Sequence, residues 1–188
     1  MNRRTALGWI SGLLGAASAL AVGIPGVSFV LSGLIGRRPG KAIVQRVARV
    51  RDLVPGKPVQ VNVVGGRRDA WTLYPDEVIG RVWLVLSQGA ATGDVPQVTA
   101  LTAICPHLGC LVQLDAGNGN FICPCHRAEF ALDGQRIANT KSGRVNHAPR
   151  GMDSLECRVV RGESDSDWWV EVKYEKFQQG LTRKVSKT

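Results

Sequence analysis

Four of the five cysteines and two of the three histidines in this 188-residue chain fall within 22 positions, from Cys105 to His126. They form two boxes, Cys-Pro-His-Leu-Gly-Cys at 105–110 and, after twelve intervening residues, Cys-Pro-Cys-His at 123–126. So dense a set of soft and borderline donors calls for a metal. Each box pairs a cysteine with a nearby histidine, Cys105 with His107 and Cys123 with His126, which supplies two thiolates and two imidazoles. Cys110 and Cys125 are left over and can form a disulfide bracing the two loops. A 2Fe-2S cluster with two cysteines on one iron and two histidines on the other accommodates this inventory. A structural zinc ion would take four of the six donors and leave the extra cysteine pair unexplained.

Charge decides what the rest of the chain can be. The net charge of +9 invites a nucleic-acid reading. Its distribution removes that reading. Residues 1–51 hold eight Arg and Lys and no acid, whereas residues 52–188 hold sixteen basic residues against fifteen acidic ones. The globular part therefore has no cationic excess with which to neutralise a run of phosphates, and no nucleic-acid partner is expected. Cys157 stands apart from the boxes in the alternating stretch Leu155, Cys157, Val159 and reads as a small buried hydrophobe.

From Thr5 to Ile35 no residue is charged. A bilayer core needs about 20 apolar residues and a secretory signal only about 7–15, so residues 1–35 read as a transmembrane anchor in contact with membrane lipid. Pro25 should kink the helix. Arg3 and Arg4 directly precede the apolar run, as in a twin-arginine signal, which exports cargo already folded. A protein that acquires iron in the cytoplasm needs such a route. The flank at 37–51 is more basic than the N-terminus, and a positive-inside count would leave the domain in the cytoplasm. Folded export is not governed by loop charge, and the extra cysteines favour an oxidising compartment. The expectation is a bacterial cytoplasmic membrane protein with its domain on the outer, periplasmic face. Ala17-Ser18-Ala19 could be cleaved, but the remaining apolar stump would have an awkward length.

Residues 36–58 carry Pro and Gly at both ends and read as a hinge or linker. Beyond them the texture changes to short apolar or alternating runs: 59–64, 71–74, 81–86, 98–104, 111–114, 120–122, 155–160 and 168–174. Gly, Asp, Asn and Pro clusters separate these runs, which predicts a mainly β, antiparallel sandwich over residues 59–178. Both boxes follow short apolar runs and belong to loops, so a small cluster-binding subdomain would present the metal at its tip. Residues 179–188 read as a basic tail, mobile over Leu181–Thr188.

Cys-x-His-Leu-Gly-Cys followed by Cys-Pro-Cys-His resembles the two boxes of Rieske iron–sulfur proteins of cytochrome bc and b6f complexes. The resemblance is close over the boxes and broad over the order of anchor, hinge and β domain. It implies cluster ligands at Cys105, His107, Cys123 and His126 and a disulfide between Cys110 and Cys125. It also implies a quinol contact at His126 and a quinol-pocket contact at Leu108. The implied partners are a cytochrome b subunit, a c-type cytochrome and membrane quinol, with the chain acting as one subunit of a quinol–cytochrome c oxidoreductase. An exported electron-transfer subunit of another oxidoreductase, such as arsenite oxidase, is the competing expectation. A zinc-binding interaction domain on a membrane stalk is a third.

The departures from the family pattern bear on tuning. The family continues Cys-Pro-Cys-His-Gly-Ser-x-Tyr, and its two hydroxyls donate to cluster sulfurs. This chain reads Cys-Pro-Cys-His-Arg-Ala-Glu-Phe at 123–130, so Ala128 and Phe130 supply no donor and Arg127 replaces a glycine. Losing those donors should lower the potential toward a menaquinol-type centre. Arg127 either offsets part of that loss or points to solvent. The family's Gly-Pro-x-Pro loop finds its nearest match in Asn146-His147-Ala148-Pro149, where His147 is either a proton relay or an exposed loop residue.

Overall fold

The computed structural model describes residues 2–32, 42–69, 72–87, 95–138, 143–163 and 167–187. Helix α1, Arg3–Ser32, forms as the uncharged run predicts and continues through Pro25. Its thirty residues reach about 45 Å. Leu7, Trp9, Leu14, Leu20, Val22 and Phe29 are exposed around its circumference. A helix apolar on every side must be covered by something other than water, and this one is long and apolar enough to cross a membrane. The helix lies in a unit separate from the β structure.

Among the described residues, nine strands build the second unit: β1 Ile43–Arg49, β2 Val59–Asp69, β3 Thr72–Leu86, β4 Val98–Thr102, β5 Gln113–Asp115, β6 Asn120–Cys123, β7 Ala128–Phe130, β8 Ser154–Arg161 and β9 Trp168–Tyr174. One antiparallel sheet has the order β1-β9-β8-β4-β3-β2, and β5-β6-β7 form a second. Only Ala100↔Leu155 and Leu101↔Ser154 pair β4 with β8. That short ladder is a crease. Across it Val63, Val82, Leu84 and Ala100 share one core with Leu155, Val170, Val172 and Tyr174, as the two halves of a sandwich do. The outer strands also approach each other, since the Val64 N–H donates to Gln45 Oε1 at 3.0 Å. Gly80 is required here: a Cβ would fall 2.0 Å from the Tyr174 ring.

A second core lies under the three-stranded sheet. Trp83, Leu101, Val112, Phe121, Phe130 and Met152 enclose Cys105 and Cys123. Trp83 joins the two parts, with its indole 5.1 Å from the Phe121 ring and its Nε1 donating to the Val112 carbonyl at 3.1 Å.

Three sequence expectations need correction. The expected linker 36–58 contains β1, which pairs with β9 from Ile43↔Tyr174 to Arg49↔Trp169. Its Pro/Gly boundaries concealed an alternating strand, Ile-Val-Gln-Arg-Val-Ala-Arg, whose register only β9 supplies. Residues 36–41 of that expectation lie outside the described residues. The two runs at 71–74 and 81–86 belong to one strand, β3, with Trp71 outside the described residues. The tail is ordered to Lys187, with residue 188 outside the described residues: Phe177 bridges Ser186, the Gln178 N–H donates to the Val185 carbonyl at 2.8 Å, and Lys187 N–H to the Lys176 carbonyl at 2.6 Å. Buried Phe177 anchors it to the sandwich core.

Candidate metal centre

Box one is a turn closed at its base. The Gly109 N–H donates to the Cys105 carbonyl at 3.0 Å and the Cys105 N–H to the Cys110 carbonyl at 2.8 Å. Gly109 has φ +84, a left-handed conformation that favours glycine. Box two is the hairpin turn between β6 and β7, closed by the Arg127 N–H on the Cys123 carbonyl at 2.9 Å and by the Cys123↔Ala128 pair. The Asp115–Asn120 turn fixes the preceding hairpin, with Asp115 Oδ1 accepting from the Gly117 and Asn118 N–H groups. Cys110 and Cys125 are joined by a disulfide, with Cα atoms 6.6 Å apart, tying one box to the other.

Within this frame Cys105 and Cys123 are both buried and lie close enough for each thiol to bear on the other's ionisation. Burial pushes the Cys105 thiol up to about 12. The His107 N–H works against this, the adjacent Cys123 raises it further, and the Leu108 N–H also stabilises the thiolate. Two such sulfurs ionise together only against a cation, which is the condition a metal meets. Half-buried His107 and exposed His126 stand edge to face, ring centres 4.8 Å apart. Two thiols inward and two imidazoles outward are the donor set that one Rieske cluster uses. The disulfide sulfurs lie within 4.8 Å of Cys123 Sγ, but a disulfide has no thiolate to give a metal.

A third loop completes the tip. His147 is exposed, with its ring 6.3 Å from that of His107 at an interplanar angle of 25°. Asn146 beside it is 3% exposed. Its Nδ2 donates to the carbonyls of Glu129 and Ile137 at 2.8 and 2.9 Å, and its Oδ1 accepts from the Ala148 N–H at 3.0 Å. Arg136 Nη1 donates to the Asn146 and Ala148 carbonyls. Leu108 and Val145 stand 65% and 72% exposed, giving the tip an apolar surface.

Every residue singled out in the two boxes thus falls at or beside one tip, and Pro149 lies half-buried in the third loop. Ala128 and Phe130 are buried, and neither carries a hydroxyl. Arg127 is exposed at φ 59, in the conformation for which the family's glycine suits the position. Cys157 is only half-buried, its thiol donating to the Val98 carbonyl at 3.0 Å and held above its ordinary pKa by burial. Sequence reading passed over Trp83, Arg136, Arg150 and Asp153. None lies in a box; Trp83, Arg136 and Arg150 act through contacts with other segments, and the Asp153 side chain through Arg150.

The domain is therefore a β-supported iron–sulfur fold. The family model for the Rieske [2Fe-2S] domain matches residues 43–149, and the chain belongs to that family. Its cofactor is a Rieske-type 2Fe-2S cluster. Among relatives, the cytochrome b6-f complex iron-sulfur subunit of Chlorobaculum thiosulfatiphilum is 30% identical over 73% of this chain and 63% of its own length. The chain thus spans less than two thirds of that relative. The menaquinol:cytochrome c reductase iron-sulfur subunit of Bacillus subtilis (strain 168) is 29% identical over 74% of this chain and 79% of its own length. The crystal structure of the plasma membrane Rieske protein of Synechocystis PCC 6803 matches at 30% identity, covering 52% of this chain and 83% of that one, with a TM-score of 0.34.

Proposed function

We propose that this chain is the Rieske subunit of a quinol–cytochrome c oxidoreductase complex, taking electrons from membrane quinol and passing them to a c-type cytochrome. One observation carries the reading: exposed His126 meets His107 edge-on, each in a box that also carries a buried cysteine, at a tip made apolar by Leu108. Cys105 and Cys123 would hold one iron of the cluster, and His107 and His126 the other. The bound cluster supplies one-electron acceptance and release near the potentials of quinones. The chain's own residues do the rest. His126, on the exposed edge, accepts a hydrogen bond from a quinol hydroxyl on its outer nitrogen and holds the proton there. Leu108 packs on the quinol ring. The Cys110–Cys125 disulfide keeps both loops closed and water away from the sulfurs. A partner cytochrome b would present the quinol.

Helix α1 anchors the chain in the bacterial cytoplasmic membrane, and the disulfide favours the outer face. Retention of the anchor in the mature protein would separate this complex from an exported subunit of another oxidoreductase. Any swing of the domain between its partners must use chain before Ile43, because β1 is locked to β9. The missing hydroxyls at Ala128 and Phe130, with the Bacillus relative's name, favour menaquinol.

The test is electron paramagnetic resonance of the dithionite-reduced protein, followed by reduction with menaquinol and ubiquinol analogues. A Rieske signal and faster reduction by the menaquinol analogue are expected. A silent spectrum would reject the cluster assignment, and equal rates would reject the quinol preference. A rigid helical insertion before Ile43 should abolish turnover and leave the signal intact.

A further inference from the structure

The tail that sequence reading left mobile lies against the first box. The Gly180 N–H donates to the Pro106 carbonyl at 2.9 Å, and Gly180 has φ +77 beside the His107 carbonyl. One buried guanidinium holds this contact. Arg150, immediately after Pro149, makes a bidentate pair with Asp153, Nε to Oδ1 at 2.8 Å and Nη2 to Oδ2 at 2.7 Å. Their side chains are 9% and 5% exposed. Two further donors of Arg150 go to the tail, Nη1 to the Leu181 carbonyl and Nη2 to the Gln178 carbonyl at 2.8 Å. The Asp153 carbonyl accepts from the Thr102 N–H at 2.9 Å, which ties the clamp to β4, three residues before Cys105. Lys184 closes the hairpin from outside, its Nζ 4.5 Å from the Phe177 ring centre.

The covalent frame leaves a gap that these contacts fill. The disulfide fixes the far end of box one at Cys110, and the sheet fixes its near end before Cys105. Pro106 and His107 lie between. We infer that the C-terminal hairpin 177–187, clamped by Arg150, is a positioning brace that sets the orientation of His107. The inference rests on the reading of His107 as a cluster ligand. A planar five-donor guanidinium can serve a carboxylate and two carbonyls together, and an ammonium cannot.

The full-length protein tests this through two variants, a chain ending after Phe177 and the substitution Arg150→Lys. Lys keeps a charge opposite Asp153 and loses the two-carbonyl clamp. The expected result is altered g-values of the reduced cluster and a shifted midpoint potential in both. Cluster loss should be roughly 10–100-fold faster, the range typical of removing the support behind a metal ligand. Hydrogen exchange at 107–109 should rise in the loaded protein. Wild-type g-values, potential and loss rate in Arg150→Lys would overturn the brace, as would the same result in a truncated chain with native circular dichroism. If the truncation unfolds, Arg150→Lys alone decides. A wild-type protein with no Rieske signal would instead defeat the cluster reading, so the two failures are distinguishable.

Discussion

Arg127 is the one non-glycine residue with positive φ among the described residues, at 59°. A Cβ in that conformation costs about 1–2 kcal/mol against a right-handed one. Arg127→Gly should therefore raise thermal stability, by about 1 kcal/mol once the greater freedom of glycine in the unfolded chain is offset. A domain of this size would show that as about 2–4 °C in its melting midpoint. An unchanged or lower midpoint would mean that the arginine side chain makes compensating contacts. Ala128 bears on chemistry more than on stability. It pairs with Cys123 at the head of β7, where a hydroxyl could reach a sulfur. One charge-assisted hydrogen bond, about 1.5–3 kcal/mol, corresponds to at most about 65–130 mV for a one-electron couple. Ala128→Ser should raise the midpoint potential by that order, read by redox titration, with no rise if the new hydroxyl turns away from the cluster.

At the scale of elements, three loops meet at the tip, two of them joined by the disulfide and the third held by a buried amide. The disulfide spans 15 residues, and closing a loop of that length constrains the unfolded chain by about 3 kcal/mol. Replacing Cys110 and Cys125 by serine should cost about that much in denaturant unfolding, and cluster loss should accelerate because the boxes part. The third loop depends on one buried amide. Asn146 makes three hydrogen bonds to backbone groups of three segments. Asn146→Ala removes all three bonds, leaving the Glu129 carbonyl only its bond from the Ile137 N–H, and should destabilise by about 1–3 kcal/mol, with the largest rise in hydrogen exchange at 146–148. On the outer surface of the sheet, Arg158 and Arg46 both donate to Glu171 and hold its carboxylate below the ordinary value. A depressed carboxylate stabilises the fold above its unfolded pKa and loses that contribution as the pH falls through the folded one. Glu171→Gln should therefore flatten the acid limb of the stability curve below about pH 4.5. Both arginines are half or more exposed, so the change should stay under about 1 kcal/mol.

Over the whole β unit, the two cores give cluster loss a specific signature. Val63, Val82, Leu84, Val170 and Val172 belong to a core that contains no proposed ligand, whereas Cys105 and Cys123 lie within the other. Removing the iron should raise hydrogen exchange across β5, β6 and β7 and leave the six-stranded sheet protected. Uniform loss of protection would mean that the cores unfold as one. The donor set, the membrane-length apolar run and most strand positions were legible in the chain itself, because donor chemistry and the two-residue strand period are local properties. Ala128 and Phe130 were legible for the same reason, as bare departures from a motif. Pairing partners were not. β1 was hidden in a Pro/Gly-bounded stretch because its place depends on β9, more than a hundred residues away. The tail looked mobile because its anchors, Arg150 and Pro106, are remote in sequence. Residue chemistry thus determined which group the tip would hold. The tertiary structure decided what holds the tip, since a hydrogen bond between distant segments has no periodicity for a sequence to display.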